Sequence, residues 1–401
     1  MVTFDALAFD PYTAHHAKAL LPLDDGSVLV AAGDQLSVIK LRADGSLDPS
    51  FGQGGWLRPL GDSWWGGETL SFLRQSDGKI LVGSTFGSFG IMRLNPDGSL
   101  DPSFGQGGLT GDLISVTGGN DPGGVYGLAV QPDGAIVAAG HGAKSSSGGG
   151  LEHEAAVVVR LRADGTLDET FGQGGAVMSA FFSEAYGLSL DANGAITIGG
   201  FGAPAFGPAP GCFLQRYSSA GVLDPTFGDG GTVNSAVAPT LDDGSELTIC
   251  RGFAPRGSGF VQGAYVSSNQ ASSSVLGLFV AARRADGSLD PSLDLDGELL
   301  FGSGDRFEHI NQLATLADGS TFAVGLRADE TSYDTLALHL RPDGSPDASF
   351  GAQGTFTFDV GARERAFAVV EERPGGAVLV GGSVNTLEGY PRPFVARFVR
   401  R

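Results

Sequence analysis

One phrase of fifteen residues recurs along this chain, and its recurrence constrains the fold more than any other feature. The phrase LRADGSLDPSFGQGG occupies residues 41–55, and related copies follow at 94–108, 161–175, 217–231, 283–297 and 340–354. A second phrase, typified by DGKILVGS, alternates with the first. It occurs seven times, beginning near Leu20, Phe72, Leu128, Leu188, Phe253, Leu313 and Val369. This alternation indicates one supersecondary unit repeated along the chain.

Each repeated unit has the composition of four short strands. In the third unit the apolar runs are VYGLAVQP, AIVAAG, AAVVVRLR and GAVMSAFF, separated by DG or Gly-rich turns. No helical period lies between them, and the 65 glycines of the 401 residues suit many turns. Four antiparallel strands in each of seven units predict an all-β fold, a seven-bladed β-propeller forming a single domain over residues 1–401.

The two ends of the chain complement each other. The chain stops at RPFVARFVRR, which matches the third strand of a unit. It starts with MVTFDAL, which matches GTFTFDV, a sequence predicted to form a fourth strand. We therefore expect the N-terminal strand to complete the last blade and close the ring.

We interpret the recurring phrase as a structural connection between the third and fourth strands of each unit. Six copies cannot all be active sites. An Asp before Pro-Ser suits a turn in which its carboxylate accepts a backbone N–H two residues on. The phenylalanine, present in five of the six copies, is expected to plug between adjacent blades.

Two segments of the amino-acid sequence resemble a known family. The phrase DGSLDPSFGQGG at 44–55 and the strand DGKILVGS at 77–84 are similar to the bacterial delta-60 repeat family. The resemblance covers essentially the whole chain and implies a propeller-like fold. It implies no activity and no catalytic residues.

Net charge and apolar runs limit the partners and the location. The chain has 25 lysine and arginine residues and 45 aspartate and glutamate residues, so its formal net charge is -20. A charge of this sign repels nucleic acid and anionic membranes. No apolar run reaches the length of a membrane span, and the N-terminus lacks the pattern of a Sec signal. We expect a soluble monomer that binds no nucleic acid and does not insert into membranes, located in the cytoplasm or exported without a Sec signal.

The two cysteines, Cys212 and Cys250, exclude a disulfide-rich scaffold and Cys-rich metal sites. Both are predicted at the variable ends of neighbouring units. We expect two separate small core thiols, with pairing as the open alternative.

Function is expected where the repeats differ, because loops on a rigid scaffold carry most binding and catalytic residues. The variable segments are the connections between second and third strands and the crossings between blades. Together they define a variable face that includes HGAKSSSGGGLEHEA at 141–155 and GDSWWGGET at 61–69. Five of the six histidines fall on it, whereas His339, within LALHL, is expected to be a packed side chain.

Alignment on the DG turn predicts a ring of polar residues. The position ten residues before the turn glycine holds His16, Glu68, Gly124, Glu184 and His309, and units five and seven have no clear register. His16, Glu68, Glu184 and His309 would suit a divalent metal or an acid and base pair at the mouth of the channel. The alternative is a solvated rim.

Aromatic residues lie near the same positions. Trp64 and Trp65, with Tyr126 and Tyr186, would stack on a sugar or an aromatic ligand, or alternatively cap the core between blades. His141 and His153, in a long Gly/Ser-rich insertion, would then form a lid over the mouth.

Two functions remain open from the sequence. The first is a non-enzymatic module that binds a protein, glycan or small molecule on the variable face, favoured because the usual catalytic motifs are absent. The second is a metal-assisted propeller lyase or hydrolase that uses the His/Glu ring, by analogy with seven-bladed lyases. The cofactor of that alternative would be a divalent metal.

Overall fold

Every regular element in the described part of the chain is a β-strand. The structure is a computed structural model, and its described residues form no helix long and apolar enough to cross a membrane. Those residues are 16–32, 36–59, 67–85, 89–111, 113, 123–145, 151–203, 210–235, 246–268, 275–293, 296–301, 307–328, 333–352, 354–358, 363–385 and 391–399.

The strands form seven antiparallel sheets that follow the repeats in chain order. Sheets one to three contain β1 (Ala17–Pro22), β2 (Val28–Ala32), β3 (Val38–Leu41) and β4 (Trp56–Leu57); β5 (Thr69–Arg74), β6 (Ile80–Ser84) and β7 (Ile91–Leu94); and β8 (Gly124–Val130), β9 (Ile136–Ser145), β10 (Leu151–Leu161) and β11 (Ala176–Met178).

The remaining sheets continue the same order. Sheets four to seven contain β12 (Phe182–Leu190), β13 (Ile196–Ala203), β14 (Gly211–Tyr217) and β15 (Thr232–Ser235); β16 (Glu246–Arg256), β17 (Gly259–Ser268), β18 (Val275–Arg283) and β19 (Glu298–Phe301); β20 (Phe307–Thr315), β21 (Thr321–Ala328), β22 (Tyr333–Leu340) and β23 (Thr355–Phe358); and β24 (Glu364–Glu371), β25 (Val378–Asn385) and β26 (Pro391–Phe398).

These sheets are the blades of a seven-bladed β-propeller, which confirms the predicted fold class. In sheet two, a bridge between Met92 and Leu109 stands in place of a fourth strand. Sheet seven has three described strands. The predicted fourth strand and ring closure fall on residues 1–15, which lie outside the described residues.

The middle strands form the core because their side chains are small or β-branched. All five residues of β2, VLVAA, are buried, and so are all five of β6, ILVGS. A short, continuous apolar run bounded by turns is typical of a strand covered on both sides. The core therefore lies between successive sheets.

The chain divides into two compact units. One comprises residues 1–17, 199–214 and 225–401, and the other comprises residues 18–198 and 215–224. The prediction of a single domain stays a prediction.

The connector between third and fourth strands has the predicted turn. The carboxylate of Asp48 accepts the backbone N–H of Ser50 at 3.1 Å and its hydroxyl at 2.7 Å. The Ser50 hydroxyl and the Lys40 ammonium, 2.9 Å from the carboxylate, lower the pKa of Asp48 to about 2. The connector carboxylate is therefore ionised and held in place at neutral pH.

A basic residue eight positions before the connector aspartate recurs from sheet to sheet. The pairs are Lys40 with Asp48, Arg93 with Asp101, Arg160 with Asp168, Arg216 with Asp224 and His339 with Asp347. In sheet five Ala282 occupies this position, and Arg256 of β16 supplies the cation to Asp290 at 3.1 Å. The repeated carboxylates are therefore structural, as the sequence predicts.

His339 is more than a packed side chain. It is the imidazole member of this series, with Nδ1 3.0 Å from Asp347 Oδ2 and Nε2 3.1 Å from the hydroxyl of Ser320. Its ring also packs against Phe322 and Phe350.

Four of the five recurring phenylalanines, Phe51, Phe104, Phe171 and Phe227, are buried between sheets as predicted, whereas Phe350 is half-buried. Phe51 of sheet one is 1% exposed and lies against the turn of sheet two. A Cβ built on Gly98 in that turn would come within 2.9 Å of the Phe51 ring, and Gly98 has a φ of 88°. Glycine is required there because it tolerates both the close approach and the positive φ.

Cys212 and Cys250 form a disulfide, so the expectation of two separate thiols is wrong. The bond joins β14 of sheet four to β16 of sheet five across a Cα–Cα distance of 5.0 Å. Both cysteines are buried, in a cluster with Ala264, Phe279 and Ala281. The thiols meet because both strands place them in the space between adjacent sheets.

Candidate functional site

The first strand of five sheets carries a β-bulge at the same position. The bulged residues are Leu70, Tyr126, Arg251, Asn311 and Phe367. The predicted polar position lies two residues before each bulge. This register assigns the position to Ile249 in sheet five and Arg365 in sheet seven, the two units that the sequence leaves open. Bulges redirect side chains and are frequent beside functional sites.

Three rings meet where β8 and β9 of sheet three approach β12 of sheet four. The Tyr126 ring stacks on the His141 ring with centroids 5.3 Å apart, and the Tyr186 ring meets Tyr126 edge-on at 5.2 Å. The two tyrosines are half-buried, whereas His141 is 7% exposed. His141 is therefore the most buried of the three rings, and it contacts both tyrosine rings.

Glu184 adds a carboxylate to this group. The Tyr186 hydroxyl donates a hydrogen bond to Glu184 Oε2. Glu184 and Tyr186 are two residues apart in β12, so their side chains lie on the same face of the strand. We call Tyr126, His141, Glu184 and Tyr186 the Tyr126 cluster.

A second group lies in sheets five to seven. The His309 and Tyr265 rings stack face to face with centroids 3.7 Å apart and planes 8° from parallel. Burial, with the positive charges of Arg251 and Arg365, lowers the pKa of His309 to about 3. The imidazole is therefore neutral at neutral pH and is a weak base. We call Arg251, Tyr265, His309 and Arg365 the Tyr265 cluster.

Further cations border this cluster. The guanidinium groups of Arg363 and Arg365 lie 5.3 and 5.4 Å from the centre of the Tyr333 ring. Arg251 and Arg365 are both exposed. The Tyr265 cluster thus presents positive charge beside aromatic rings, in a protein of net charge -20.

The low pKa of His309 predicts a pH-dependent stability. Its pKa lies below that of an unfolded histidine, so its neutral form contributes stability above about pH 6.5, and that contribution is lost as the pH falls towards 3. We expect the wild type to lose about 1 to 2 kcal/mol more than His309→Gln between pH 7 and 4.5, because glutamine does not titrate. Urea unfolding at both pH values measures this difference. Equal losses in the two proteins would show that His309 titrates normally.

Other predicted residues make separate contacts. Glu68 forms an ion pair with Lys18 of β1, and its backbone N–H donates to the Thr85 hydroxyl at 2.7 Å. The His16 ring packs edge-on against Phe367 with centroids 5.4 Å apart. Across the described residues, no group of three or more His, Cys, Asp or Glu side chains is arranged to hold a metal ion. A metal bound by His16, Glu68, Glu184 and His309 stays a prediction.

The predicted lid is replaced in part by regular structure. His141 lies in β9 and His153 in β10, and the backbone of His153 pairs with Lys144. The two strands run to Ser145 and from Leu151, so the paired segment extends well into the predicted loop. Trp64 and Trp65 lie outside the described residues.

Sequence reasoning missed Tyr265, Arg251 and Arg365. Tyr265 pairs with Ile249 as His141 pairs with Gly124, so the two rings hold equivalent positions in their sheets. Aligning the second strands as well as the first would have identified Tyr265. The bulges that place Arg251 and Arg365 leave no comparable signal in the sequence.

The fold and these clusters define a repeat protein of the β-propeller class with aromatic and charged groups on bulged first strands. Residues 23–51, 75–104 and 131–171 match a family described as "Domain of unknown function (DUF5122) beta-propeller". A comparison with curated protein sequences finds no match.

Solved structures with the same fold include two lyases. The chain is 9% identical to a virginiamycin B lyase from Staphylococcus aureus, with a TM-score of 0.51 and coverage of 98% of this chain and 97% of the lyase. It is 11% identical to polysaccharide lyase Uly1, with a TM-score of 0.52 and coverage of 96% and 90%. At these identities the likeness establishes the fold alone.

Proposed function

We propose that the protein binds a glycan on the Tyr126 cluster. The observation that carries this proposal is the meeting of two half-buried tyrosine rings from adjacent sheets beside the Glu184 carboxylate. Tyrosine rings offer an apolar surface to the C–H groups of a sugar, and their hydroxyls and a carboxylate bond to sugar hydroxyls. Membership of the delta-60 repeat family, supported by the phrase at 44–55, is part of the same proposal.

The Tyr265 cluster is a second, separate candidate for ligand binding. The guanidinium groups of Arg251 and Arg365 suit a ligand oxyanion, since arginine pairs with carboxylates and similar groups through two parallel hydrogen bonds. An acidic ligand at the Tyr265 cluster is therefore a candidate separate from the glycan at the Tyr126 cluster, and both neutral and acidic oligosaccharides are to be tested.

The enzymatic alternative has weaker support. A metal-assisted lyase or hydrolase requires a metal site or a residue able to exchange protons near neutral pH. His309 titrates far below that range. The described residues also contain no metal-binding group of three or more His, Cys, Asp or Glu. Binding is therefore the first function to test, and catalysis is the second candidate.

Removing either tyrosine of the cluster is expected to weaken glycan binding at least tenfold. Tyr126→Ala and Tyr186→Ala each delete a stacking surface, and tenfold corresponds to about 1.4 kcal/mol. A glycan array identifies the oligosaccharide that binds the wild type most tightly, and calorimetry then compares the variants with it.

Phe356→Ala is the matched control, because this ring is 41% exposed and belongs to neither cluster. We expect its affinity to equal that of the wild type. Absence of binding across neutral and acidic glycans, or equal affinity in the tyrosine variants, would rule out the Tyr126 cluster as a glycan site.

A further inference from the structure

Two arginines of sheet seven lie against one tyrosine of sheet six. The guanidinium carbons of Arg363 and Arg365 are 5.3 and 5.4 Å from the centre of the Tyr333 ring, at the start of β22. Strand pairing extends to Arg363, whose carbonyl accepts the N–H of Asn385 at 2.8 Å. Since the two arginines are two residues apart in this extended segment, their side chains leave it on the same side. Cation–π contacts with Tyr333 therefore hold two guanidinium groups beside one ring.

Arg365 connects this pair to the Tyr265 cluster. Burial, together with the positive charges of Arg251 and Arg365, lowers the pKa of His309, so both guanidinium groups act on that ring. The Tyr265 ring stacks on the same imidazole with centroids 3.7 Å apart. Arginines from sheets five and seven thus approach His309 of sheet six, and the neutral imidazole adds no charge of its own.

The acidic residues next to these positions lie on the other side of their strands. Glu364 stands between the two arginines of sheet seven and is fully buried, and Glu308, beside His309, is 4% exposed. Asp334 follows Tyr333 in β22. Because side chains alternate along a strand, each carboxylate points to the face opposite its neighbour. A ligand that contacts the guanidinium groups is therefore separated by a strand from each of these carboxylates.

The number of arginines favours one class of oxyanion. A carboxylate has two oxygens and one negative charge, so a single arginine can pair with it through two parallel hydrogen bonds. A phosphate monoester has three acceptor oxygens and a charge of about -1.5 to -2 at pH 7, so it can pair with two or three guanidinium groups. The net charge of -20 repels such an anion from most of the protein surface, which confines its binding to a local group of cations.

We propose that Arg251, Arg363 and Arg365 bind the phosphate group of a phosphate monoester, such as a phosphorylated sugar. We call these three residues the arginine site. Arg363 and Arg365 donate to the phosphate oxygens from sheet seven, where Tyr333 positions them, and Arg251 donates from sheet five. The proposal rests on the Tyr265 cluster, the second candidate for ligand binding, and narrows its acidic ligand to one chemical class. It does not depend on glycan binding by the Tyr126 cluster.

The first test titrates glucose 6-phosphate into the full chain in a phosphate-free buffer. We expect one bound molecule with a Kd of about 0.1 to 1 mM, because only the few atoms of the phosphate group make contact. Glucose, glucuronic acid and glucose 6-sulfate share the sugar ring but lack the dianionic group, so each is expected to bind about tenfold or more weakly. Inorganic phosphate is expected to displace glucose 6-phosphate. Calorimetry measures all five ligands.

Arginine variants locate the bound phosphate. Arg363→Gln and Arg365→Gln each remove one charged donor and are expected to weaken the binding of glucose 6-phosphate by about fivefold or more. Arg373→Gln is the matched control, because it removes the same charge from an exposed residue beyond the opposite end of β24. Its affinity is expected to equal that of the wild type. Thermal midpoints equal to that of the wild type show that each variant folds.

Four results would overturn the proposal. The first is no binding of glucose 6-phosphate by the wild type. The second is equal binding of glucose 6-sulfate, or no displacement by inorganic phosphate, because the dianionic group would then not be recognised. The third is wild-type affinity in Arg363→Gln and Arg365→Gln, which would place the phosphate elsewhere.

The fourth result is loss of glucose 6-phosphate binding in Tyr126→Ala, which would assign this ligand to the Tyr126 cluster. Unchanged binding in Tyr126→Ala supports the arginine site whether or not the glycan array finds a ligand. The two proposals can therefore fail separately.

Discussion

Phe104→Ala is expected to lower the free energy of unfolding by about 3 to 5 kcal/mol. The ring is fully buried, and the Arg93 guanidinium lies 4.5 Å from its centre. The turn glycine Gly165 approaches so closely that a Cβ there would lie 2.8 Å from the ring. Alanine leaves a cavity bounded by a backbone turn that has no side chain with which to fill it. Urea unfolding of the variant and the wild type measures the loss.

Two further variants test whether the loss of stability depends on burial of the phenylalanine or only on its place in the recurring phrase. Phe171 is also fully buried and packs against Gly221, so Phe171→Ala is expected to cost as much as Phe104→Ala. Phe350 occurs in the same phrase but is half-buried beside a cavity, so Phe350→Ala is expected to cost about half as much or less. Similar losses in all three variants would contradict the link between loss and burial. Unchanged midpoints for Phe104 and Phe171 would disprove their role as plugs.

The sequence repeats predict the fold because their copies contain residues that make the same turns, buried ring contacts and strands. An aspartate before Pro-Ser predicts the turn at Asp48, and a single aromatic residue among glycines predicts the buried ring of Phe51. A short apolar run predicts the buried strand at residues 80–84. Since the connector phrase occurs six times and the strand phrase seven times, one correct interpretation applies to most of the sheets. The acidic composition also has a structural cause, because the connector aspartates pair with cations of their own sheets.

The candidate site is predicted less completely, because its geometry depends on bulges and on neighbouring sheets. Counting ten residues back from the turn glycine predicts Glu184, and Tyr126 and Tyr186 lie nearby in the same register; the structure brings these three side chains together. Counting back from the turn glycine does not identify Arg365, because the seventh unit has a different turn. It does not identify Ile249 either, because the sequence of the fifth unit differs from the others. Strand pairing identifies both positions. The glycines and serines of the insertion predict a loop at His141, yet β-pairing continues to Ser145 on one side and resumes at Leu151 on the other.

The cysteine pair shows the same limit. Cys212 and Cys250 are 38 residues apart in different repeats, and the residues around each are typical of buried strands. Only the packing of sheet four on sheet five brings their sulfur atoms together. Such pairs persist mainly in oxidising compartments.

Removing this disulfide is expected to destabilise the protein by about 4 kcal/mol. A crosslink between residues 38 apart restricts the unfolded chain, and the loop-entropy relation gives about this value at 25 °C. The bond also joins two strands of adjacent sheets in the core, so its loss frees the interface between them. Cys212→Ala with Cys250→Ala, compared with the wild type by urea unfolding under non-reducing conditions, measures the effect.

Reduction of the wild type provides an independent check of the same bond. Both sulfur atoms are buried, so a mild thiol should reduce the folded protein slowly, whereas the unfolded protein should be reduced at once. Ala135→Gly, a small buried substitution directly before β9 of sheet three, which contains no cysteine, controls for a general sensitivity of the core. Two titratable thiols in unfolded protein that was never exposed to a reductant would show that Cys212 and Cys250 are not bonded. The paired cysteine variant should then lose no more stability than Ala135→Gly, since no crosslink would have been removed.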